Sequence, residues 1–416
     1  MKKNLLTAGV FLVVLAFLLF EASSRACDFN LYMSASVDLF RGGDIYTIDY
    51  FDGYYYYYSL LFAFFMVPFS YMPMVVAQFI WVSINAFFVY RIIKIIGQWL
   101  EADTLTTRKR LLLFVLCFVF ALHFILMNFN SEQVTICILY LSIEGLRLVL
   151  GGKKFWGAIL IALGINIKIL PIVLLPYLIY RKEFKVSAII ITAYCAFLII
   201  PGFIVGFARN AALLESWWNH INPLNTQHVL DVDERSFHGL STLLATLLVE
   251  KVPDKFALPI KRNIANISVE QLGIILNAVR LVLISFSLYF FRTRPFASAK
   301  SNIHRLWETS YLLLIVPLIF PHQQEYAFLF ITPAACYVIY YLVQNKNSIS
   351  VKKFRILLVA FTITYLACNC ELLLGVFNKY YQHFKVLTYG ALLLIPILAV
   401  CIPTEKMSTT LQPDTK

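Results

Sequence analysis

Six polar residues stand out in an otherwise apolar chain: Asp28, Gln133, Lys168, Arg235, His238 and His322. A carboxylate beside an apolar interface tends to hold its proton more tightly, which suits general-base work. A lysine between two apolar half-helices is costly unless it meets an anion or extends its ammonium to the headgroups. Histidine and arginine in polar loops suit an anionic or hydroxylated ligand, and a glutamine side chain can bond a hydroxyl. Each residue also has a plainer use. Asp28 can cap the helix that follows, Lys168 can snorkel, Gln133 can cap the helix it opens, and the others can be ordinary loop polarity.

The surroundings of these residues are set by composition. Of 416 residues, 60% are hydrophobic and 14% charged, and the mean hydropathy is +0.75. A soluble domain carries about a quarter charged residues, so the main solvent here is lipid. Runs such as Leu5–Phe20, Val75–Ile96 and Val386–Cys401 approach the ~20 apolar residues that cross a hydrocarbon core. The net charge of +12 sits in short clusters between apolar blocks: Lys2-Lys3, Arg108-Lys109-Arg110, Lys153-Lys154, Arg181-Lys182, and Lys352-Lys353 with Arg355. Clusters in every second loop follow the positive-inside rule. No nucleic-acid partner is expected, because the aromatic residues lie in apolar runs and not among basic ones. The eight cysteines form no CxxC pair and no metal spacing with histidine. Cys27 follows a weak processing signal, and an uncleaved first helix is expected because an even number of spans requires it.

These patterns predict an all-α polytopic transmembrane bundle of about 12 spans, both ends cytoplasmic. The expected spans are 4–21, 74–96, 111–128, 132–150, 156–166, 171–180, 186–206, 269–291, 306–320, 325–343, 354–375 and 386–402. They make one domain over 1–403, with outer loops 22–72 and 207–268 and a cytoplasmic tail 404–416. Pro171 breaks the helix near Lys168, so 156–166 and 171–180 read as two short helices that return Arg181-Lys182 to the cytoplasm. Ser236–Val249 reads as an interfacial helix, and Tyr54–Tyr58 suits the headgroup zone. On this topology Asp28, Gln133, Lys168, His238 and His322 all reach the outer face, where a binding or reaction site is expected.

Several stretches together resemble a known family. Asp28 opens the first outer loop, followed by Tyr32-Met-Ser-Ala35, Gly42-Gly-Asp-Ile-Tyr46, Tyr54–Tyr58 and Pro68-Phe-Ser-Tyr-Met-Pro73. Trp81 with Asn85, Glu132-Gln133-Val-Thr, and Gly157 through Lys168-Ile-Leu-Pro171 continue the series. In order and spacing over roughly the first 185 residues, this pattern resembles the polytopic GT-C glycosyltransferases, specifically glycosyltransferase family 87, which uses polyprenyl-phosphate mannose. Glu132 stands where the family pattern has glycine.

The resemblance implies a GT-C-like fold and transfer of a hexose, mannose first, from a polyprenyl-phosphate donor to a hydroxyl on a glycolipid or glycan acceptor. It implies Asp28 as general base. Lys168, His322, Gln133, His238 and Arg235 are the candidate donor phosphate or sugar contacts; no cofactor is expected, and although the class admits metal dependence, no metal ligand is singled out. The expected location is the cell (inner) membrane, multi-pass, with the site on the periplasmic side. Asp38, Asp44, Asp49 and Asp52 are weaker candidates for the base. Asp231-Val-Asp233 is a lone DxD, and Trp217-Trp218-Asn-His220 suits either an acceptor sugar or a membrane anchor. The alternative class is a transporter or lipid flippase, which usually carries broken helices in repeated halves. This sequence has one broken pair, around Lys168, and no visible repeat.

Overall fold

A computed structural model describes residues 28–51, 53–222, 227–232, 234–292, 294–297, 301–346 and 348–403. The expected first span, Cys27, Asp52, Asp233 and the 404–416 tail lie outside the described residues. The fold is all-α. Among the described residues the only extended pairing is an isolated bridge between Phe237 and Gln324.

Among the described residues, five helical segments are long and apolar enough to cross a bilayer: Met74–Trp99, Thr107–Asn130, Phe184–Val205, Val269–Phe291 and Glu325–Asn345. A sixth crossing is available if Gly375–His383 and Val386–Val400, bent by 67°, count as one. Among the described residues, length and apolarity by themselves thus support five or six crossings, and the expected number of about 12 is not confirmed. Several of the expected spans are helices of one short run, such as Thr135–Leu150 and Lys154–Ile167. A helix of 14 to 16 residues rises only about 21–24 Å, less than the ~30 Å hydrocarbon core. The break at Lys168 is present. Lys154–Ile167 ends with Lys168 in an extended conformation, and a 3-10 turn over Leu170–Val173 leads into Leu174–Tyr180.

The chain divides into two compact units. The first comprises Met1–Ile93, Ile125–Leu175 and Glu183–Asn222. Its tightest packing joins Thr135–Leu150 to Lys154–Ile167, which in turn packs on Phe184–Ile199. Small residues permit that approach. A Cβ added at Gly157 would sit 2.5 Å from the Gly145 carbonyl oxygen and 2.8 Å from the Val149 nitrogen, so the two backbones touch, as at other small-residue helix crossings in lipid. Gly157→Ala is accordingly expected to cost about 1–3 kcal/mol by overpacking. Thermal unfolding in detergent checks it, and an unchanged midpoint would mean the helices separate freely. At one end of the same unit, Glu144 joins two helices by accepting Arg91 Nη2 at 2.8 Å and Arg147 Nε at 2.7 Å.

The second unit comprises Lys94–Phe124, Pro176–Lys182 and Pro223–Lys416. Asn302–Ile319 is its central helix: its side chains are buried from Leu306 through Ile319. Trp307, Phe290 and Tyr311 stack with centroids 4.2 and 4.6 Å apart. The polar ends of these rings are satisfied by backbone. Trp307 Nε1 donates to the Leu398 carbonyl at 2.9 Å, and the Tyr311 hydroxyl to the Leu283 carbonyl at 2.6 Å. Buried aromatic groups of this kind need such partners, because lipid offers none. The expected interfacial helix Ser236–Val249 is shorter, Leu240–Leu248, and is buried by Leu240, Leu243 and Ala245 rather than lying free. It starts late because residues 236–238 bond the 323–325 tip instead: Glu325 N donates to Ser236 O at 3.1 Å and His238 N to Gln323 O at 2.9 Å.

Candidate active site

In the first unit, Asp28 opens the Asp28–Phe40 helix, and its backbone N–H donates to the Ser131 carbonyl at 3.2 Å. That bond draws the tip of the 128–133 turn to the start of the helix. One helical turn after Asp28, Tyr32 points to the same region. Its hydroxyl donates to Tyr58 at 3.0 Å and to Gln133 Oε1 at 3.3 Å, and Tyr58 donates to Gln133 Oε1 at 3.4 Å. Gln133 is fully buried, and its Nε2 has no hydrogen-bond partner among the described residues. A buried amide donor left unbonded costs about 1–3 kcal/mol, which a ligand hydroxyl would offset.

The turn is held from below by Trp81. Its Nε1 donates to the Glu132 carbonyl at 2.9 Å, and its ring packs against Phe29, Phe69 and Tyr32. Glu132 has φ of 49°, the left-handed region that favours glycine. This explains why the family pattern carries glycine there. The Gln78 amide meets Glu132 Oε2 at 3.4 Å.

Lys168 belongs to the same group. Its ammonium lies 5.6 Å from the Tyr58 ring centroid. Burial pushes that ammonium down to about 8, opposed by the nearby Asp28 carboxylate. Burial, with Asp28 adjacent, also holds the Tyr58 phenol well above its ordinary range, so it stays protonated. The loop before Leu60–Ser70 secures the break around Lys168: Ser59 N donates to the Ile167 carbonyl at 3.3 Å, and Ser59 Oγ to Asn166 Oδ1 at 2.9 Å. Asp28, Gln133 and Lys168, distant in sequence, thus surround Tyr32 and Tyr58. Tyr32 belongs to the Tyr32-Met-Ser-Ala35 motif, whereas residue type does not single out Tyr58, because the Tyr54–Tyr58 run reads as interfacial. In fact Tyr56 and Tyr58 are buried, and only Tyr54 is well exposed.

The other loop acidic residues are spent locally. Asp44 accepts from Ser216 Oγ at 2.7 Å and Tyr46 N at 3.0 Å, Asp49 accepts from Gly53 N at 2.8 Å, and Asp38 lies 3.5 Å from Arg41. Trp217 is likewise occupied, its Nε1 donating to the Tyr57 carbonyl at 3.2 Å, while His220 stacks on Tyr57 at 4.4 Å. Trp218 of the same stretch is exposed.

His322, His238 and Arg235 fall in the second unit. His322 Nδ1 lies 2.7 Å from Asp231 Oδ1, its backbone N–H meets both Asp231 oxygens, and its Nε2 is 2.5 Å from His228 Nδ1. Ser241 Oγ donates to Asp231 Oδ2 at 2.6 Å. Burial pushes Asp231 up, but the His322 ring and backbone and the Ser241 hydroxyl hold it below its ordinary range. Asp231 therefore orients a histidine, a carboxylate–imidazole pairing that fixes ring and tautomer. His238 is fully buried, with Nε2 2.9 Å from Gln382 Oε1. Burial drives it down to about 3, so at neutral pH it offers a phosphate no positive charge. Arg235 is exposed, and its carbonyl accepts from Lys385 Nζ at 2.9 Å.

Comparison with known protein families matches residues 56–304 to glycosyltransferase family 87. The match spans more than half of the chain and takes in Tyr58, Trp81, Gln133, Lys168, Arg235 and His238, while Asp28 and His322 lie outside it. Neither the curated proteins nor the solved structures include a match to this chain. With apolar helices long enough to cross a bilayer and this family match, the chain belongs to glycosyltransferase family 87 and is a membrane glycosyltransferase.

Proposed function

We propose that this enzyme moves a hexose, mannose first, from a polyprenyl-phosphate donor to an acceptor hydroxyl on the extracytoplasmic side of the cell membrane. The observation that carries the reading is the cluster of Asp28, Lys168, Tyr58 and Gln133 in the first unit. It offers a base, a cation and a buried amide donor together, which are the parts sugar transfer from a lipid phosphate requires. Asp28 removes the proton of the acceptor hydroxyl as its oxygen bonds to the anomeric carbon. The bond from that carbon to the phosphate oxygen breaks, and its electron pair leaves with the polyprenyl phosphate. Lys168 steadies the departing anion, and the carboxylate stabilises the oxocarbenium-like transition state. The Gln133 amide, supported by Tyr32 and Tyr58, holds a sugar hydroxyl. The acceptor is a glycolipid or glycan.

The test uses purified protein in liposomes with labelled polyprenyl-phosphate mannose and a total lipid extract. Label transfer coupled to release of polyprenyl phosphate is expected. Turnover with lipid-linked glucose or arabinose but not mannose would reassign the donor, and no turnover with any lipid-linked sugar would overturn the reading.

Lys168 also predicts a pH dependence. Its ammonium is present below about pH 8 and lost above it, so the donor KM should rise by about tenfold per pH unit at higher pH. Lys168→Arg, always charged, should remove that rise. A wild-type donor KM constant between about pH 7 and 9.5 would take Lys168 out of donor binding.

A further inference from the structure

The second unit holds a polar cluster that sugar transfer does not use. His123, on Thr107–Asn130, Glu325, at the start of the Glu325–Ile331 turn, and Glu371, opening Glu371–Leu374, bring one ligand atom each within 4.8 Å of one another. His123 and Glu325 are almost wholly buried, at 1% and 2% exposure. His123 Nε2 faces Glu371 Oε2 at 3.3 Å without the alignment of a hydrogen bond, and neither atom has another partner among the described residues.

The outer oxygens of the two carboxylates are held by amides. Gln382 Nε2 donates to Glu371 Oε1 at 2.8 Å and also to Glu325 Oε1, and Asn378 Nδ2 donates to Glu371 Oε1 at 2.8 Å. Gln382 is fixed in turn by His238, whose Nε2 lies 2.9 Å from its Oε1. Amide donors on the outer oxygens favour ionised carboxylates and turn the remaining oxygens toward the imidazole. Two carboxylates this close repel when both are ionised, and a cation or a shared proton between them relieves that repulsion. Four-coordinate ligands about 2.1 Å from a metal stand about 3.4 Å apart, close to the 3.3 Å between His123 and Glu371.

We infer that His123, Glu325 and Glu371 form a divalent-metal site, with Gln382 and Asn378 supporting the carboxylates from outside. One imidazole nitrogen and two carboxylate oxygens match Zn²⁺, a borderline ion, or Mn²⁺, a harder ion suited to carboxylates, better than Ca²⁺ or Mg²⁺, which prefer all-oxygen shells. Three protein ligands leave a fourth position open. A bound ion ties together three segments far apart in the chain, at residues 123, 325 and 371.

The test is metal binding by the full chain in detergent. Protein stripped with chelator is titrated separately with ZnCl₂ and MnCl₂ by calorimetry, and thermal unfolding is followed in parallel. Wild type should take up close to one ion per chain and unfold at a higher temperature when loaded. Glu371→Gln should weaken binding by about 100-fold or more, and Gln382→Ala, which leaves all three ligands in place, by about 10–100-fold. Nitrogen coupling in the Mn²⁺ electron-spin-echo spectrum of wild type should report His123 and vanish in His123→Ala; this arm holds if the glutamate variant fails to fold. Wild type that binds no ion, or binds one as tightly as Glu371→Gln does and without nitrogen coupling, would overturn the site and leave a proton shared between the two carboxyl groups.

Discussion

Asp28→Asn is expected to lower kcat by about 10²–10⁴, the usual worth of a positioned general base, while the donor KM, read near about pH 6 where Lys168 keeps its charge, stays within a few-fold. The substitution is informative because asparagine keeps nearly everything else that Asp28 does. It has the same shape, it can accept a hydrogen bond at a helix start as well as aspartate can, and it leaves the backbone bond to Ser131 in place. The expected loss of stability is confined to the interaction of the charge with the helix terminus, about 0.3–1 kcal/mol, and to its attraction to Lys168. Folding and activity thus separate cleanly. The measurement is single-turnover label transfer from saturating donor, with thermal unfolding as control. A rate within a few-fold of wild type would remove Asp28 as the base and leave the family and the membrane fold untouched. Asp44 and Asp49 are poor substitutes, since their carboxylates already accept local hydrogen bonds.

Glu308→Ala is expected to destabilise the second unit by about 3–5 kcal/mol, because it strands a buried guanidinium. Glu308 is fully buried on the central helix, and Arg181 is 7% exposed. The carboxylate accepts from Arg181 Nη2, from Arg181 Nε at 3.1 Å and from the Tyr177 hydroxyl at 2.9 Å, with His304 Nε2 3.2 Å away. The guanidinium also donates to the Ala297 carbonyl at 2.9 Å and lies over the rings of Tyr177, Tyr180 and Phe291. Removing the glutamate leaves that charge with only a carbonyl and aromatic faces. Removing both charges is a different experiment. Arg181→Met with Glu308→Leu should recover most of the loss, since a buried ion pair is often no better than packed apolar groups of similar volume. Reversible unfolding in mixed detergent checks both. A double variant no more stable than Glu308→Ala would show that the pair contributes beyond mutual neutralisation.

Arg181 illustrates where sequence reading stops. In the sequence it belongs to a basic cluster, Arg181-Lys182, which reads as a cytoplasmic loop marker. Nothing local announces a glutamate 127 residues away. The same limit hid Tyr58 inside a run of interfacial-looking tyrosines, and hid His123, Glu325 and Glu371, whose separation gives no recognisable ligand spacing. The number of crossings is hidden for a related reason. Hydropathy marks apolar runs, but a run such as Thr135–Leu150 is apolar because protein packs on it as well as lipid, and it is too short to cross alone.

By itself the sequence determined what depends on local composition and backbone chemistry. An all-α membrane protein follows from the shortage of charge, the break beside Lys168 from Pro171, and the family from an ordered series of motifs. It also singled out Asp28, Gln133 and Lys168 one by one. Only the tertiary structure decided that these three surround two tyrosines, that Asp231 serves His322, and that His238 is buried and neutral at physiological pH. The physical reason is that burial and partnership are set by segments far apart along the chain. The same aspartate or histidine takes a different charge and role according to which of them packs against it.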